Sequence, residues 1–221
     1  MRRLVLLTLF MAAALVPKSG ARAASAMLDT TFGGDGVVTA FPNGGVATAI
    51  GIDDRRRITV VGYTVERHPD VVVARFLSDG TPDRSFAGDG TARFDLGADD
   101  YAFDAAFTPK GGMAIVGRRT AREDRIFVLR LQADGARMRS FGGDGQVFVD
   151  AGTRAQSADA VALTPQGRIV VGGYVSSGVQ ARSALVRIGD TGALDRGFGH
   201  DGIAMYDIVQ NWELLRLFYS K

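Results

Sequence analysis

The chain has 221 residues, 29 glycines, no cysteine and a formal net charge of +2 at pH 7. The lack of cysteine excludes disulfides, thiol nucleophiles and thiolate metal sites. A net charge so close to zero provides no overall basic field for nucleic acid or an anionic membrane.

Residues 1–23 predict a secretory signal peptide. Arg2 and Arg3 form its charged start, an apolar run covers residues 4–16, and Ala21-Arg22-Ala23 is the favoured cleavage site. The run is shorter than the roughly 20 residues that span a bilayer as a helix, so an uncleaved anchor is the weaker alternative. We therefore expect a secreted or periplasmic protein that keeps no membrane span. Cleavage would remove four basic residues and change the net charge from +2 to −2.

A short glycine motif recurs at a nearly fixed period. Its four copies are Phe32–Gly36, Phe86–Gly90, Phe141–Gly145 and Phe198–Gly202, and the spacing between successive phenylalanines is almost constant. Such a period is typical of stacked supersecondary units.

Each unit is predicted to contain four short strands that follow its glycine motif. The first unit has Val37–Phe41, Ala47–Ile52, Ile58–Tyr63 and Val71–Leu77, and the second has Thr91–Leu96, Tyr101–Thr108, Met113–Gly117 and Arg125–Leu131. The third unit has Gln146–Asp150, Ala158–Leu163, Ile169–Tyr174 and Ala184–Ile188. Four strands with tight turns form one blade of a β-propeller, and the apolar third strand suits an inner position covered on both faces. Arg55-Arg56-Arg57 falls in a predicted hairpin turn, which favours solvation over contact with nucleic acid.

The end of the chain departs from the repeat. Ile203–Tyr206 predicts the first strand of a fourth unit, but residues 207–221 contain no glycine and form an atypical tail. The sequence thus predicts an all-β, propeller-type domain over residues 28–206, with three four-stranded blades and a partial fourth. Since closed propellers have about four to eight blades, an open or incomplete arrangement is expected. Self-association, or a place in a longer array, would cover the open ends.

The repeated pattern resembles a known family. Leu-x-x-Asp-Gly, followed by Asp-x-x-Phe-Gly-Gly-Asp-Gly and an apolar strand that ends in glycine, is similar to the delta-60 repeat. The resemblance covers roughly residues 28–206. It implies a bacterial, exported, β-propeller-like protein, and it brings no catalytic residues.

The recurring aspartates have two interpretations. As oxygen ligands they could bind calcium, but neither the calcium helix-loop spacing nor the Gly-Gly-x-Gly-x-Asp repeat is present. The favoured alternative is a turn in which the carboxylate accepts hydrogen bonds from nearby backbone N–H groups. The residues concerned are Asp35, Asp89, Asp144 and Asp201, with Asp29, Asp83 and Asp195. No cofactor is therefore predicted, and calcium is the one alternative.

Three arginines also recur, each at the same distance before a motif phenylalanine. Arg75, Arg130 and Arg187 could form a ring that binds an anion. We favour instead a structural ion pair with the aspartate of the motif that follows, since a bidentate pair would fasten a strand to the following turn. The predicted partners are Asp89, Asp144 and Asp201.

No catalytic constellation is found in the sequence. His68 and His200 have no recognisable partner, and the glycine motifs precede neither the Lys-Ser/Thr pair nor the helix of a phosphate loop. The adjacent acids Asp53-Asp54 and Asp99-Asp100 could act in acid–base chemistry but are predicted to be solvated. No catalytic, cofactor-binding or metal-ligating residue is therefore assigned.

The sequence favours an exported, non-enzymatic binding or scaffold module with an unidentified protein or glycan partner and no nucleic-acid partner. The expected working surface is formed by the variable loops Val65–Asp70, Thr120–Asp124 and Ser176–Arg182. Two alternatives stay open: a propeller-type hydrolase of a sugar or lactone, and a calcium-stabilised surface repeat.

Overall fold

A computed structural model describes residues 27–177 and 181–206. The predicted signal peptide and the tail 207–221 lie outside the described residues. Within them the chain is all-β: three four-stranded antiparallel sheets contain every strand, as in the blades of a propeller. These residues include no helix long and apolar enough to cross a membrane.

The strands of each sheet follow one another in chain order. Sheet 1 consists of β1 (Gly45–Ile52), β2 (Ile58–Thr64), β3 (Val71–Phe76) and β4 (Thr91–Phe94). Sheet 2 consists of β5 (Asp99–Phe107), β6 (Met113–Thr120), β7 (Asp124–Leu131) and β8 (Gln146–Val149). Sheet 3 consists of β9 (Ala155–Leu163), β10 (Ile169–Ser176), β11 (Ala181–Ile188) and β12 (Ile203–Tyr206).

The sheets begin one strand later than the predicted units. The strand after the second, third and fourth glycine motifs pairs with the strand before the motif: β4 with β3, β8 with β7, and β12 with β11. The prediction of a partial fourth blade is therefore wrong, because Ile203–Tyr206 completes sheet 3. The predicted strand Val37–Phe41 is also wrong, since these residues belong to no strand. The physical reason is the motif's tight reversal: Gly90 N–H donates to Phe86 O at 2.8 Å, and the chain returns beside the strand it has just left.

Two large apolar cores lie between neighbouring sheets, and a smaller cluster contains Ala151, Val175 and Ala184. The first contains Val61, Val73, Phe86, Ile115 and Leu129, and the second contains Val116, Val128, Phe141, Ile169 and Val186. Since successive residues of a strand point to opposite faces, β6 contributes Ile115 to one core and Val116 to the other. Sheet 2 is thus covered on both faces, and β6 has the inner position that its apolar sequence predicts.

The glycine motif also connects one sheet to the next. The N–H of its second residue donates to a loop carbonyl of the following sheet: Ala87 to Asp134 O and Gly142 to Thr191 O, both at 2.9 Å. The second position has a left-handed backbone, with φ of 53° at Ala87 and 65° at Gly142, which favours glycine there. In the fourth copy, the N–H of Gly199 has no backbone acceptor among the described residues.

Residues 28–41 cover part of the outer face of sheet 1. The first motif copy bonds to this sheet in the same way, since Gly33 N–H donates to Asp79 O at 2.9 Å. Further along the same face, the covering is incomplete. Ile50 and Ile52 of β1 are each 68% exposed.

Candidate functional site

The recurring motif aspartates form turns. The Oδ1 atoms of Asp35, Asp89 and Asp144 accept hydrogen bonds from the N–H two residues later, at 2.9, 2.8 and 3.2 Å. This is the Asx-turn geometry, so the turn interpretation is confirmed for these three copies. Asp201 is exposed, and its carboxylate lies 3.6 Å from Nδ1 of the exposed His200.

Two of the recurring arginines form ion pairs, but with a different aspartate from the predicted one. Arg75 Nε donates to Asp83 Oδ2 at 2.8 Å, and Arg187 Nε donates to Asp195 Oδ2 at 2.9 Å. The partner is therefore the aspartate just before the motif phenylalanine, and the predicted pairs with Asp89 and Asp201 are wrong. The cause is local, because Asp83 N–H already donates to Arg75 O at 2.9 Å and brings the two side chains together.

Arg75 is the most enclosed of these arginines. Its side chain is 1% exposed and lies over the Phe86 ring at 4.7 Å. The guanidinium also donates to Ser85 Oγ at 3.2 Å and to the carbonyl of Ala133 in sheet 2. Arg75 thus fastens sheet 1 to a loop of sheet 2.

The second repeat has the arginine without the acid. Met138 stands where the other repeats have Asp83 and Asp195, and its N–H keeps the backbone bond to Arg130 O at 2.9 Å. Nη1 of Arg130 is buried without a hydrogen-bond partner, and burial lowers the pKa of this arginine. The predicted ion pair between Arg130 and Asp144 is therefore not formed through Nη1. The three arginines lie one in each sheet, as an anion-binding ring would require, but the guanidinium groups of Arg75 and Arg187 are already paired with Asp83 and Asp195.

The remaining sequence candidates are separated from one another. The sequence predicts no partner for His68, but its side chain, 72% exposed, has Nδ1 at 2.9 Å from Asp99 Oδ1; His200 lies in the loop just before β12. Asp53 Oδ2 accepts a hydrogen bond from Arg57 Nε at 2.7 Å and folds the β1–β2 turn. Arg57 is itself buried, so the prediction of a wholly solvated basic run is wrong at this residue.

Asp100 is buried, contrary to the predicted solvated position. It lies in β5 with 0% exposure, and its Oδ2 accepts a hydrogen bond from Leu96 N–H at 2.7 Å. Its Oδ1 is buried and has no hydrogen-bond partner. Burial is the largest cause; with the repulsion from Asp70 and Asp95 it outweighs the Leu96 hydrogen bond and the attraction of Arg119, and it raises the pKa of Asp100 to about 6.

Three carboxylates meet where sheet 1 contacts sheet 2, and we name Asp70, Asp95 and Asp100 the junction cluster. One oxygen from each lies within 4.8 Å of the other two. Asp70 directly precedes β3, Asp95 follows β4 and Asp100 lies in β5, so the cluster joins both sheets. The two sheets are held in this position by a hydrogen bond from Asp100 N–H to Pro69 O at 2.7 Å.

The oxygens of the cluster differ in their partners. Asp95 Oδ1 accepts a hydrogen bond from Gly97 N–H at 2.6 Å, and Asp70 Oδ2 accepts one from Arg93 Nε at 2.6 Å. Asp70 and Asp95 line a surface depression of about 660 Å³ beside the first variable loop. The cluster is therefore open to solvent on the side away from Asp100.

The second sheet junction has the same plan with different chemistry. Gln156 takes the place of Asp100: its Oε1 accepts a hydrogen bond from Ala151 N–H at 2.8 Å. Its Nε2 donates to Asp150 Oδ1 at 3.2 Å and to Thr153 O at 2.9 Å. The neighbouring depression is lined mainly by arginines, namely Arg119, Arg122, Arg125 and Arg154.

Sequence reasoning missed the junction cluster. Asp70 and Asp95 belong to no recurring motif, and the sequence predicts a solvated position for Asp100 beside Asp99. When the repeats are aligned by their position in the sheets, Asp100 of β5 corresponds to Gln156 of β9. This polar residue at equivalent positions is the signal that could have identified the cluster.

Comparison with known proteins supports the repeat architecture. No curated protein matches the chain. Two segments, residues 56–86 and 164–198, match a family model described as a β-propeller domain of unknown function (DUF5122). Since these segments cover less than a third of the chain, they support a β-propeller repeat and leave the activity open. By this match, the chain is similar to a β-propeller repeat family of unknown function.

Proposed function

We propose that the chain is an exported β-propeller-type repeat module that acts as a binding or scaffold unit and not as an enzyme. Its first partner, on this proposal, is a second copy of the same chain. The observation that carries the proposal is that the outer face of sheet 3, the last sheet among the described residues, matches the faces that form the cores but is only half-buried.

The outer face of sheet 3 has the same plan as the faces that form the cores. The cross-strand pairs Val61–Val73 and Val116–Val128 face the next sheet in sheets 1 and 2, and Gly172–Leu185 is the matching pair in sheet 3. Leu185 is only half-buried, whereas both valine pairs are buried. Phe198 is likewise half-buried, although Phe86 of the matching motif is 0% exposed.

The outer face of sheet 1 supplies the other half of a junction. Its pair Ile50–Val60 matches Ala105–Ile115 of sheet 2, which is buried in the first core. An apolar groove of about 570 Å³ runs between these residues and the N-terminal segment. Sheet 3 of one copy could therefore dock on sheet 1 of another and repeat the contact made inside each chain.

This association is head-to-tail, because two different faces meet. The copies form a closed ring when the rotation that relates one copy to the next completes a full turn. Two copies would give six sheets, within the range of about four to eight blades in closed propellers. Residues 28–41 compete with the partner, because their motif already bonds to Asp79 where the Phe198 motif of a second copy would bond. We propose that this segment leaves sheet 1 when the partner docks.

We expect the mature chain, starting at Ala24, to show concentration-dependent self-association. Leu185→Glu should reduce it, because the change places a charge on the outer face of sheet 3, while Phe32→Ala should strengthen it by loosening the competing segment. Sedimentation velocity over a wide concentration range measures the outcome. Val65→Glu is the matched control, since Val65 is an exposed loop residue outside both faces. Monomers at every concentration, for the mature chain and for Phe32→Ala alike, would contradict docking between copies.

Export is tested separately. The full chain expressed in a bacterial host should be recovered outside the cytoplasm, with an intact mass that corresponds to a start at Ala24. Deletion of residues 4–16 should retain the unprocessed chain in the cytoplasm, because the apolar run that the export machinery recognises is gone. Recovery of the unprocessed wild-type chain in the cytoplasm would argue against export.

A further inference from the structure

We propose that the junction cluster, Asp70, Asp95 and Asp100, binds a calcium ion that fastens sheet 1 to sheet 2. This site is separate from the motif aspartates, which form turns. It is also independent of the proposed association between copies, which uses the outer faces of sheets 1 and 3.

The first argument is the convergence of ligand atoms. Three carboxylates from three different segments each bring one oxygen within 4.8 Å of the others. Oxygens ligating one calcium ion at about 2.3–2.6 Å are separated by no more than roughly this distance. The separation between the oxygens is thus compatible with a shared ion.

The second argument is the unsatisfied oxygen of Asp100. This side chain is 0% exposed, and its Oδ1 has no hydrogen-bond partner. A buried carboxylate oxygen without a partner is unfavourable in the ionised form, and a cation bound beside it would satisfy it. At the second junction this need does not arise, because Gln156 fills the same place and its amide donates two hydrogen bonds.

The third argument is that nearby arginines leave the charge of the cluster partly unbalanced. Arg93 pairs with Asp70 through Nε, but its Nη1 and Nη2 are taken by Glu66 at 2.9 and 2.7 Å. Arg119 donates to the carbonyls of Leu96 and Gly97 at 3.0 and 3.1 Å. Arg137, another nearby arginine, donates through Nη2 to the backbone carbonyl of Asp95 at 3.3 Å, so among the described residues Asp70 is the one cluster carboxylate that forms an ion pair.

The chemistry of the ligands points to calcium. The cluster offers carboxylate oxygens only, which suit hard cations and disfavour the metals that bind through imidazole or thiolate. Calcium accepts irregular geometry and several waters, whereas magnesium demands a near-ideal octahedron. The cluster takes its ligands from two sheets and borders an open depression, which fits the irregular geometry that calcium accepts. At the first junction the ion would hold the cluster together through its carboxylates. At the second junction the hydrogen bonds of Gln156 have this role.

The test is a calcium titration of the mature chain by isothermal calorimetry, with thermal melts in calcium and in chelator. Extracellular calcium modules bind with Kd of roughly 0.1–1 mM, so the titration should extend to about 10 mM. We expect one site and a melting temperature several degrees higher in calcium, because the ion binds only the folded chain.

Asp100→Asn separates the loss of a ligand from a failure to fold. Its amide can donate as Gln156 does, so this variant should melt at or above the wild-type temperature in chelator and gain nothing from calcium. Asp95→Asn should also lose the calcium response. Asp144→Asn is the matched control: it removes the charge of a turn aspartate and should keep the full response.

Two results would overturn the proposal. One is a wild-type chain that shows neither heat of binding nor a change in melting temperature at about 10 mM calcium. The other is a calcium response that survives in Asp100→Asn and Asp95→Asn, which would place the ion elsewhere. A response lost in Asp144→Asn and kept in both junction variants would assign the ion to the motif turns.

Discussion

Replacing Arg75 with alanine should destabilise the protein by about 3–5 kcal/mol, the range for breaking a buried ion pair by removing one partner. Arg75 is 1% exposed, and its partner Asp83 has a side chain 6% exposed. The change leaves the buried Asp83 carboxylate with only the more distant Arg57, whose Nη1 lies 3.7 Å from Asp83 Oδ2, and it removes the bond to the carbonyl of Ala133 in a loop of sheet 2. Urea denaturation followed by far-ultraviolet circular dichroism measures the free energy of unfolding.

Arg130→Ala is the matched control for this prediction. Arg130 occupies the same position in the second repeat, but Met138 replaces the acid, and Nη1 of the arginine has no partner. Its removal leaves no carboxylate behind, so the expected cost is below about 1 kcal/mol. Equal losses for Arg75→Ala and Arg130→Ala would show that packing, and not the ion pair, accounts for the effect.

The pair also predicts a dependence on pH. Burial opposes ionisation of Asp83, but hydrogen bonds from Ser85 and the charge of Arg75 hold the pKa of its carboxyl below the usual value. A lowered folded-state pKa means that the stabilisation is complete above the unfolded value of about 3.9 and is lost as the pH falls through the folded value. The gap in stability between wild type and Arg75→Ala should therefore narrow as the pH falls below that unfolded value.

Gly173→Ala should cost at least about 3 kcal/mol, the upper end of the usual range for an overpacked core site. A Cβ at this position would lie 1.9 Å from Ser157 O, and a backbone carbonyl cannot move away as a side chain can. The glycine lies opposite a β-bulge of β9, where one strand carries an extra residue. Gly62 and Gly117 have the same 1.9 Å relation to Val46 O and Tyr101 O.

The adjacent residue provides the control. A Cβ at Gly172 would meet Leu185 Cδ2 at 3.6 Å, which is ordinary van der Waals contact. Gly172→Ala should therefore change the free energy of unfolding by less than about 1 kcal/mol, and the loss of chain entropy in the unfolded state favours a gain. Chemical denaturation of both variants checks the contrast. If the two substitutions had similar effects, the bulge contact could not be the reason for glycine.

The period and alternation of the sequence were sufficient to predict an all-β repeat with the strands of sheets 2 and 3 near their observed positions. They could not assign the strand after each motif to a sheet. Thr91–Phe94 has the same alternation whether it pairs with β3 behind it or with β5 ahead of it. The choice depends on the reversal at Phe86–Gly90 and on tertiary contacts, which no local pattern contains.

The junction cluster was beyond prediction for a related reason. β5 begins at Asp99, earlier than the predicted Tyr101, and this places Asp100 on the buried face of a strand. Two adjacent aspartates before an apolar run are more typical of a solvated loop. The predicted partner of Arg75 is wrong because the recurring spacing to Asp89 is a relation along the chain only. The backbone bond between Arg75 and Asp83 decides which side chains meet.

The position of the glycine motif within each sheet has a consequence for engineering this repeat. A segment cut from one motif to the next would carry a strand that belongs to the previous sheet, and it would leave its own sheet without a last strand. The transferable module runs instead from the start of β5 to the end of β8, residues 99–149, with the following linker. Insertion of a second copy of this module after residue 154 would lengthen the chain by one complete four-stranded sheet.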